Sequence, residues 1–184
     1  MKETSDSLLL SLAKESIKSR FLEIETKSKE ELVALYPALN EKRATFVTLN
    51  LKGRLRGCIG SLIAHRTLYD DIVSNAQSAA FNDPRFPPLS YEEFVQTSIE
   101  LSLLSEPVFL PYRDKIDLKS KINVGKDGVI LKLGDKQATF LPQVWEQLPT
   151  FELFFEHLCN KANMQYNCLD KNPQIYIYGA QKIK

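Results

Sequence analysis

In the stretch GRLRGCIGSL, residues 53 to 62, Cys58 lies between Gly57 and Gly60, just after two arginines, Arg54 and Arg56. A thiol beside fixed positive charge gives up its proton more readily, and the thiolate is the nucleophile. Glycines on either side leave backbone amides open to a developing anion. Cys58 is therefore a candidate nucleophile. No general base is evident for it; His65, seven residues downstream, is the nearest imidazole in sequence.

A second charged constellation follows in NDPRFPP, where Asp83 and Arg85 flank Pro84 on a stiff loop. Two opposite charges held in fixed directions can bind a ligand; they can equally stop a helix, with the aspartate capping amides and the arginine pairing locally. In LPQVWEQLP, Gln143 at a helix start could present its amide to a pocket, whereas Trp145 reads as a core residue.

Other chemistries find no support. Two histidines, His65 and His157, and three distant cysteines lack paired ligand spacing, so no metal site is expected. GCIG and GKDG match neither the dinucleotide nor the P-loop pattern, and no cofactor is implied. Cys58, Cys159 and Cys168 form an odd, scattered set that argues against a disulfide framework and for a reducing compartment, the cytoplasm. Cys159 adjoins an apolar stripe and reads as core; nothing marks Cys168 as activated.

The elements that must position these residues are legible in outline. The N-terminal run reads as an amphipathic helix through Ala13, Ile17 and Phe21, not as a signal peptide, and KEELVALYPAL as a short helix broken at Pro37. ATFVTLNL and LRGCIGSL form a hairpin, for which apolar parity favours a three-residue KGR loop pairing Leu51 with Leu55 and Val47 with Ile59. Thr67 caps the helix LYDDIVSNAQSAAF, with Leu68, Ile72, Ala76, Ala79 and Ala80 as its stripe, and Ser90 with Glu93 caps a shorter one. TSIELSLL reads as a half-buried strand. GVILKLGDKQATFL reads as two strands about Gly134–Asp135, a helix from Thr150 buries Phe151, Phe154, Phe155, Leu158 and Ala162, and PQIYIY is a closing strand. Without a regular βα rhythm, the fold class is α+β, with a mixed, mainly antiparallel sheet and packed helices.

Composition bounds the rest. The chain has 184 residues, 43% of them hydrophobic, enough for its own core. A formal net charge of +1 with scattered basic residues argues against nucleic-acid binding, and no segment is long enough to span a bilayer.

Taken in order and with their intervals, LRGCIG, AAFNDPRFPPLS, GKDGVIL and ATFLPQVWEQLP resemble the AMMECR domain family, with the nearest likeness to its bacterial branch, the AmmeMemoRadiSam system protein A. The resemblance implies one AMMECR-type domain over 1–184, with N-terminal helices in 1–40, a motif-bearing core of about 44–164 and two unequal lobes. It also implies company with a Memo-like protein and a radical SAM protein, but no particular reaction. The family's recurrent positions fall here on Arg56, Gly57, Cys58, Ile59 and Gly60, on Asp83 through Pro87, and on Leu141, Pro142 and Gln143. Beyond Ala162 the match fades: Asn163 replaces the glycine of a Lys-Ala-Gly turn, and a later tryptophan is missing. The chain lacks cluster-binding cysteines, so radical chemistry would belong to a partner.

Three readings stay open. One is a binding module taking a small anionic molecule or acidic peptide through Arg54, Arg56, Gly57, Gly60, Asp83, Arg85 and Gln143. Another is an enzyme or enzyme subunit using Cys58 as a thiolate. The third is that these residues stabilise a lobe junction. The helix between the motifs is expected to bring Asp83 and Arg85 back beside the Cys58 strand.

Overall fold

The computed structural model describes residues 2–184. The chain is α+β, in two compact units: one runs to Leu104 and includes Gln181–Lys184, the other comprises Ser105–Ala180. Among the described residues no helix is long and apolar enough to cross a membrane.

The first unit holds helices α1 (Lys2–Lys18), α2 (Lys29–Leu35), α3 (Leu68–Phe81) and α4 (Tyr91–Phe94), with strands β1 (Thr45–Leu51), β2 (Arg54–Gly60) and β3 (Thr97–Leu104). A late strand, β8 (Ala180–Ile183), completes a sheet of order β2-β1-β3-β8. Alternation along β1 sends Val47 and Leu49 into the core with Leu101, Ile72, Ala76, Ala79 and the α1 residues Ala13 and Ile17. The caps form as their sequences dictate. Thr67 Oγ1 accepts from the Asp70 N–H, and Ser90 with Glu93 closes a reciprocal capping box.

The β1–β2 hairpin differs from the three-residue expectation. Leu51 pairs with Arg54 across a two-residue turn, Lys52–Gly53, in which both residues have positive φ (50° and 77°). That is the backbone twist tight hairpins favour. A β-bulge then shifts the register: Asn50 pairs with Leu55 but Leu49 with Gly57, leaving Arg56 as the extra residue. From there Val47 pairs with Ile59, as apolar parity requires.

Behind β2, α3 packs so closely that a Cβ on Gly57 would come within 2.1 Å of the Ala79 carbonyl oxygen. Glycine is required there by close approach. A buried polar cluster fixes the same helix to the strand ends: the Asp71 carboxylate accepts from the Thr45 N–H and hydroxyl, Ser61 Oγ, Asn75 Nδ2 and Arg66. All its acceptor capacity is used, which is how a buried charge is tolerated.

The second unit contains β4 (Val108–Phe109), α5 (Lys115–Lys121), β5 (Gly128–Leu133), β6 (Lys136–Phe140), α6 (Phe151–Lys161) and β7 (Gln174–Tyr178), in an antiparallel sheet of order β4-β7-β5-β6. Phe151, Phe154, Phe155 and Leu158 of α6 fill its core with Val129, Leu131 and Ile175. Trp145 stacks on Phe154 at 3.6 Å between ring centroids, and its indole N–H donates to the Asp127 carbonyl. Three elements were missing from the sequence reading: α5, β4 and β8.

The cysteines also depart from expectation. Cys159 and Cys168 are joined in a disulfide with Cα atoms 5.8 Å apart, leaving Cys58 as the free cysteine. Their spacing of nine looked scattered because the turn after α6 was not foreseen; it folds the chain back so that both sulfurs meet in the core.

Candidate functional site

Cys58 and the DPRF loop meet at β2. The Cys58 backbone N–H donates to Asp83 Oδ2 at 2.9 Å, and Arg85 Nη2 donates to the Cys58 carbonyl at 3.2 Å. Arg85 is itself locked to Asp83 by a fork, Nε to Oδ1 at 3.0 Å and Nη2 to Oδ2 at 2.7 Å, while the Arg85 N–H also reaches Oδ1. Pro84 makes this possible: it stiffens the chain so that the residues on either side present opposite charges in one direction. The Asp83 carboxyl is held far below the ordinary carboxylate range, chiefly by Arg85 and further by the Cys58 N–H, and the Arg85 guanidinium is raised in turn by Asp83. The Asp83 side chain is 2% exposed and that of Arg85 53%. One end of the pair is structural; the other faces solvent.

The thiol lies on the sheet face away from α3. Thr48 is opposite both Cys58 on β2 and Glu100 on β3, so the three side chains form one row across the strands. Thr48 Oγ1 is 3.3 Å from Cys58 Sγ. Glu100 is joined to Lys184 at 3.1 Å. Glu100 was not singled out in the sequence, although strand alternation puts it opposite the apolar face.

Arg56 does not present its charge to a ligand. Bulged out of the ladder, it is 8% exposed at the side chain, forks onto Glu93 at 3.0 and 2.7 Å and donates to the Pro87 carbonyl. The Glu93 carboxyl is lowered, first by Arg56 and then by its capping bond to the Ser90 N–H. Glu93 thus ties the bulge to α4 as well as capping it, a second role that the capping signal concealed. Gly57 and Gly60 answer to packing: a Cβ on Gly60 would fall 2.2 Å from the Phe46 ring.

Arg54 is exposed at the hairpin turn. His65 is exposed and its Nδ1 contacts the Ile63 carbonyl, and His157 is exposed on α6. Gln143 belongs to the second unit, in a short 3-10 helix opened by Pro142, and its Oε1 is buried without a partner among the described residues. No group of three or more His, Cys, Asp or Glu among the described residues is placed to hold a metal ion.

Comparison with known proteins agrees with the resemblance to the AMMECR family. The AMMECR1 family profile matches residues 10–183. A protein of Methanosarcina acetivorans is 38% identical over 151 residues, covering 82% of this chain and 75% of that protein. One of Sulfolobus acidocaldarius is 36% identical over 170 residues, covering 87% and 72%. The crystal structure of uncharacterized protein PH0010 from Pyrococcus horikoshii superposes with a TM-score of 0.82 at 32% identity, over 95% of this chain and 88% of that one.

Proposed function

Starting from the premise that this chain belongs to the AMMECR1 family, we propose that it is a binding module taking a small anionic molecule or an acidic peptide terminus along the outer side of β2. The observation that carries this reading is the Arg85 guanidinium, half-exposed yet immobilised by Asp83 and by the Cys58 carbonyl. A preorganised guanidinium loses little entropy on accepting a carboxylate or phosphate, and its remaining N–H groups match such anions. Asp83 neutralises much of its field, so affinity comes from directed hydrogen bonds and from exposed Arg54 as the second cation. Arg56, Gly57 and Gly60 hold the strand in place. As in the bacterial branch that the motifs resemble, the module would act beside a Memo-like and a radical SAM protein.

Calorimetric titration with inorganic phosphate and with a short peptide ending in two glutamates tests this. Arg85→Ala should weaken the better of the two about tenfold with the fold retained. Binding unchanged in that variant, or no binding of either probe by the parent protein, would overturn the reading.

A second reading rests on a different observation: Cys58 is a free, half-buried thiol with Thr48 Oγ1 within hydrogen-bond reach. There the chain is an enzyme or enzyme subunit and Cys58 its thiolate. Alkylation of Cys58 with iodoacetamide across pH discriminates: a midpoint well below the ordinary value of about 8.5 favours it, and an inert thiol removes it.

A further inference from the structure

The second unit carries a surface cavity of about 670 Å³, well away in sequence from the Cys58 motifs, and three segments line it. One is the β5–β6 hairpin, where Leu133 pairs with Lys136 across a two-residue turn, Gly134–Asp135. Another is the turn after α6, where Asn163 takes a φ of 53° and the Met164 N–H returns to the Cys159 carbonyl. The third is the short 3-10 helix Cys168–Lys171. These segments are fastened to one another. Lys136 Nζ donates to the Asn163 carbonyl at 2.7 Å, joining hairpin to turn, and the buried Cys159–Cys168 disulfide joins the 3-10 helix to α6. A cavity whose walls are held in advance loses little freedom on binding, and its volume is that of a small-molecule site.

The charges around this cavity divide by task. Lys136 is engaged in the tie to Asn163. Asp135, on the hairpin, and Lys171, on the 3-10 helix, are exposed, and neither side chain has an ion pair or hydrogen bond with the other or with any other described residue. Half-buried Leu133 and Met164 give the same cavity apolar surface. A carboxylate and an ammonium on different walls, unpaired, with apolar surface between the polar groups of the lining, complement a zwitterion with an apolar body; a simple anion or cation would satisfy only one of them. We propose that this cavity binds a short peptide with free ends, about two aliphatic residues long, its carboxylate on Lys171 and its ammonium on Asp135. A free amino acid carries both charges on one carbon and fills little of the volume, whereas two extended residues separate their ends by up to roughly 7 Å. The site uses neither Cys58 nor Arg85, so its failure would leave the β2 reading untouched.

The test is an amide-shift NMR titration of the full, isotopically labelled chain with four probes: leucyl-leucine, its C-terminal amide, its N-acetyl form, and leucine. Leucyl-leucine should move the amides of residues 134–136, 163–165 and 171. Each capped form should bind about fivefold more weakly, and leucine about tenfold. Lys171→Gln should erase the preference for the free carboxylate and keep that for the free ammonium; Asp135→Asn should do the reverse. The probe series on the parent needs neither variant, so the requirement for both charges is read even if one misfolds. Equal affinities for free and capped peptides, leucine binding as tightly as leucyl-leucine, either variant losing both preferences, shifts centred on Cys58 and Arg85 instead, or no shifts at all would overturn the proposal.

Discussion

The backbone N–H of Cys58 and the carboxylate of Asp83, 25 residues apart in sequence, are joined by a 2.9 Å hydrogen bond that makes the two motifs one structure. Ionisation of Asp83 strengthens the bond, and Arg85 keeps the carboxyl ionised well below the ordinary carboxylate range.

Acid should therefore weaken this junction. The folded Asp83 is depressed below its unfolded value, so the unfolded chain binds the proton more tightly and stability falls as pH drops. The contribution is complete above the unfolded value of about 3.9 and is lost toward the lower folded value. Asp83→Asn should cost about 1 to 3 kcal/mol at pH 7 and flatten the decline below about pH 4 in urea melts. Acid limbs of equal slope in the two proteins would contradict this.

Arg85→Ala should cost less than Asp83→Asn, about 1 kcal/mol, because Arg85 is half exposed and Asp83 keeps both backbone donors. Leu101→Ala, at a fully buried β3 position, should cost about 2 to 5 kcal/mol. Thermal melts rank the two, and equal large losses would make Arg85 a structural residue.

At the bulge, Arg56→Ala should destabilise by about 2 kcal/mol or more, since it strips Glu93 and the Pro87 carbonyl of their donor and empties a buried space. Glu93→Gln should cost less, because the Glu93 carboxylate is one-third exposed. Denaturant titration measures both; the reverse order would place the larger burden on α4 capping.

Gly57→Ala should cost about 2 to 3 kcal/mol, because its Cβ meets the backbone of α3, which cannot yield locally. Gly53→Ala has open space around it but a φ of 77°, and should cost only about 1 kcal/mol. Chemical denaturation of the two variants separates close packing from turn strain.

Much of this was legible in the residues. Capping pairs at Thr67 and Ser90, the phenylalanine stripe of α6 and the alternation of β1 are local signals, and each became the element expected. The convergence of Cys58, Asp83 and Arg85 was also within reach, because a helix of known length returns the chain over the hairpin. What escaped the reading depends on tertiary contact. Arg56 looked like a ligand-facing cation, and only the bulge together with α4 reveals that Glu93 claims it. The two-residue turn was rejected on parity, although a single bulged residue restores parity by another route. Cys159 and Cys168 looked unrelated until the turn after α6 folded one onto the other, and β4, with only two residues, carries too little pattern to be read.

β2 is the outermost strand of its sheet, and an outermost strand normally leaves a row of amide and carbonyl groups free to template another chain. At Cys58 both outward groups are taken, the N–H by Asp83 and the carbonyl by Arg85, so the DPR turn plays the part of a one-residue neighbouring strand built from side chains. At this position the atoms beside the proposed ligand site thus leave no free backbone group to template another chain, and a variant lacking Asp83 or Arg85 would expose one.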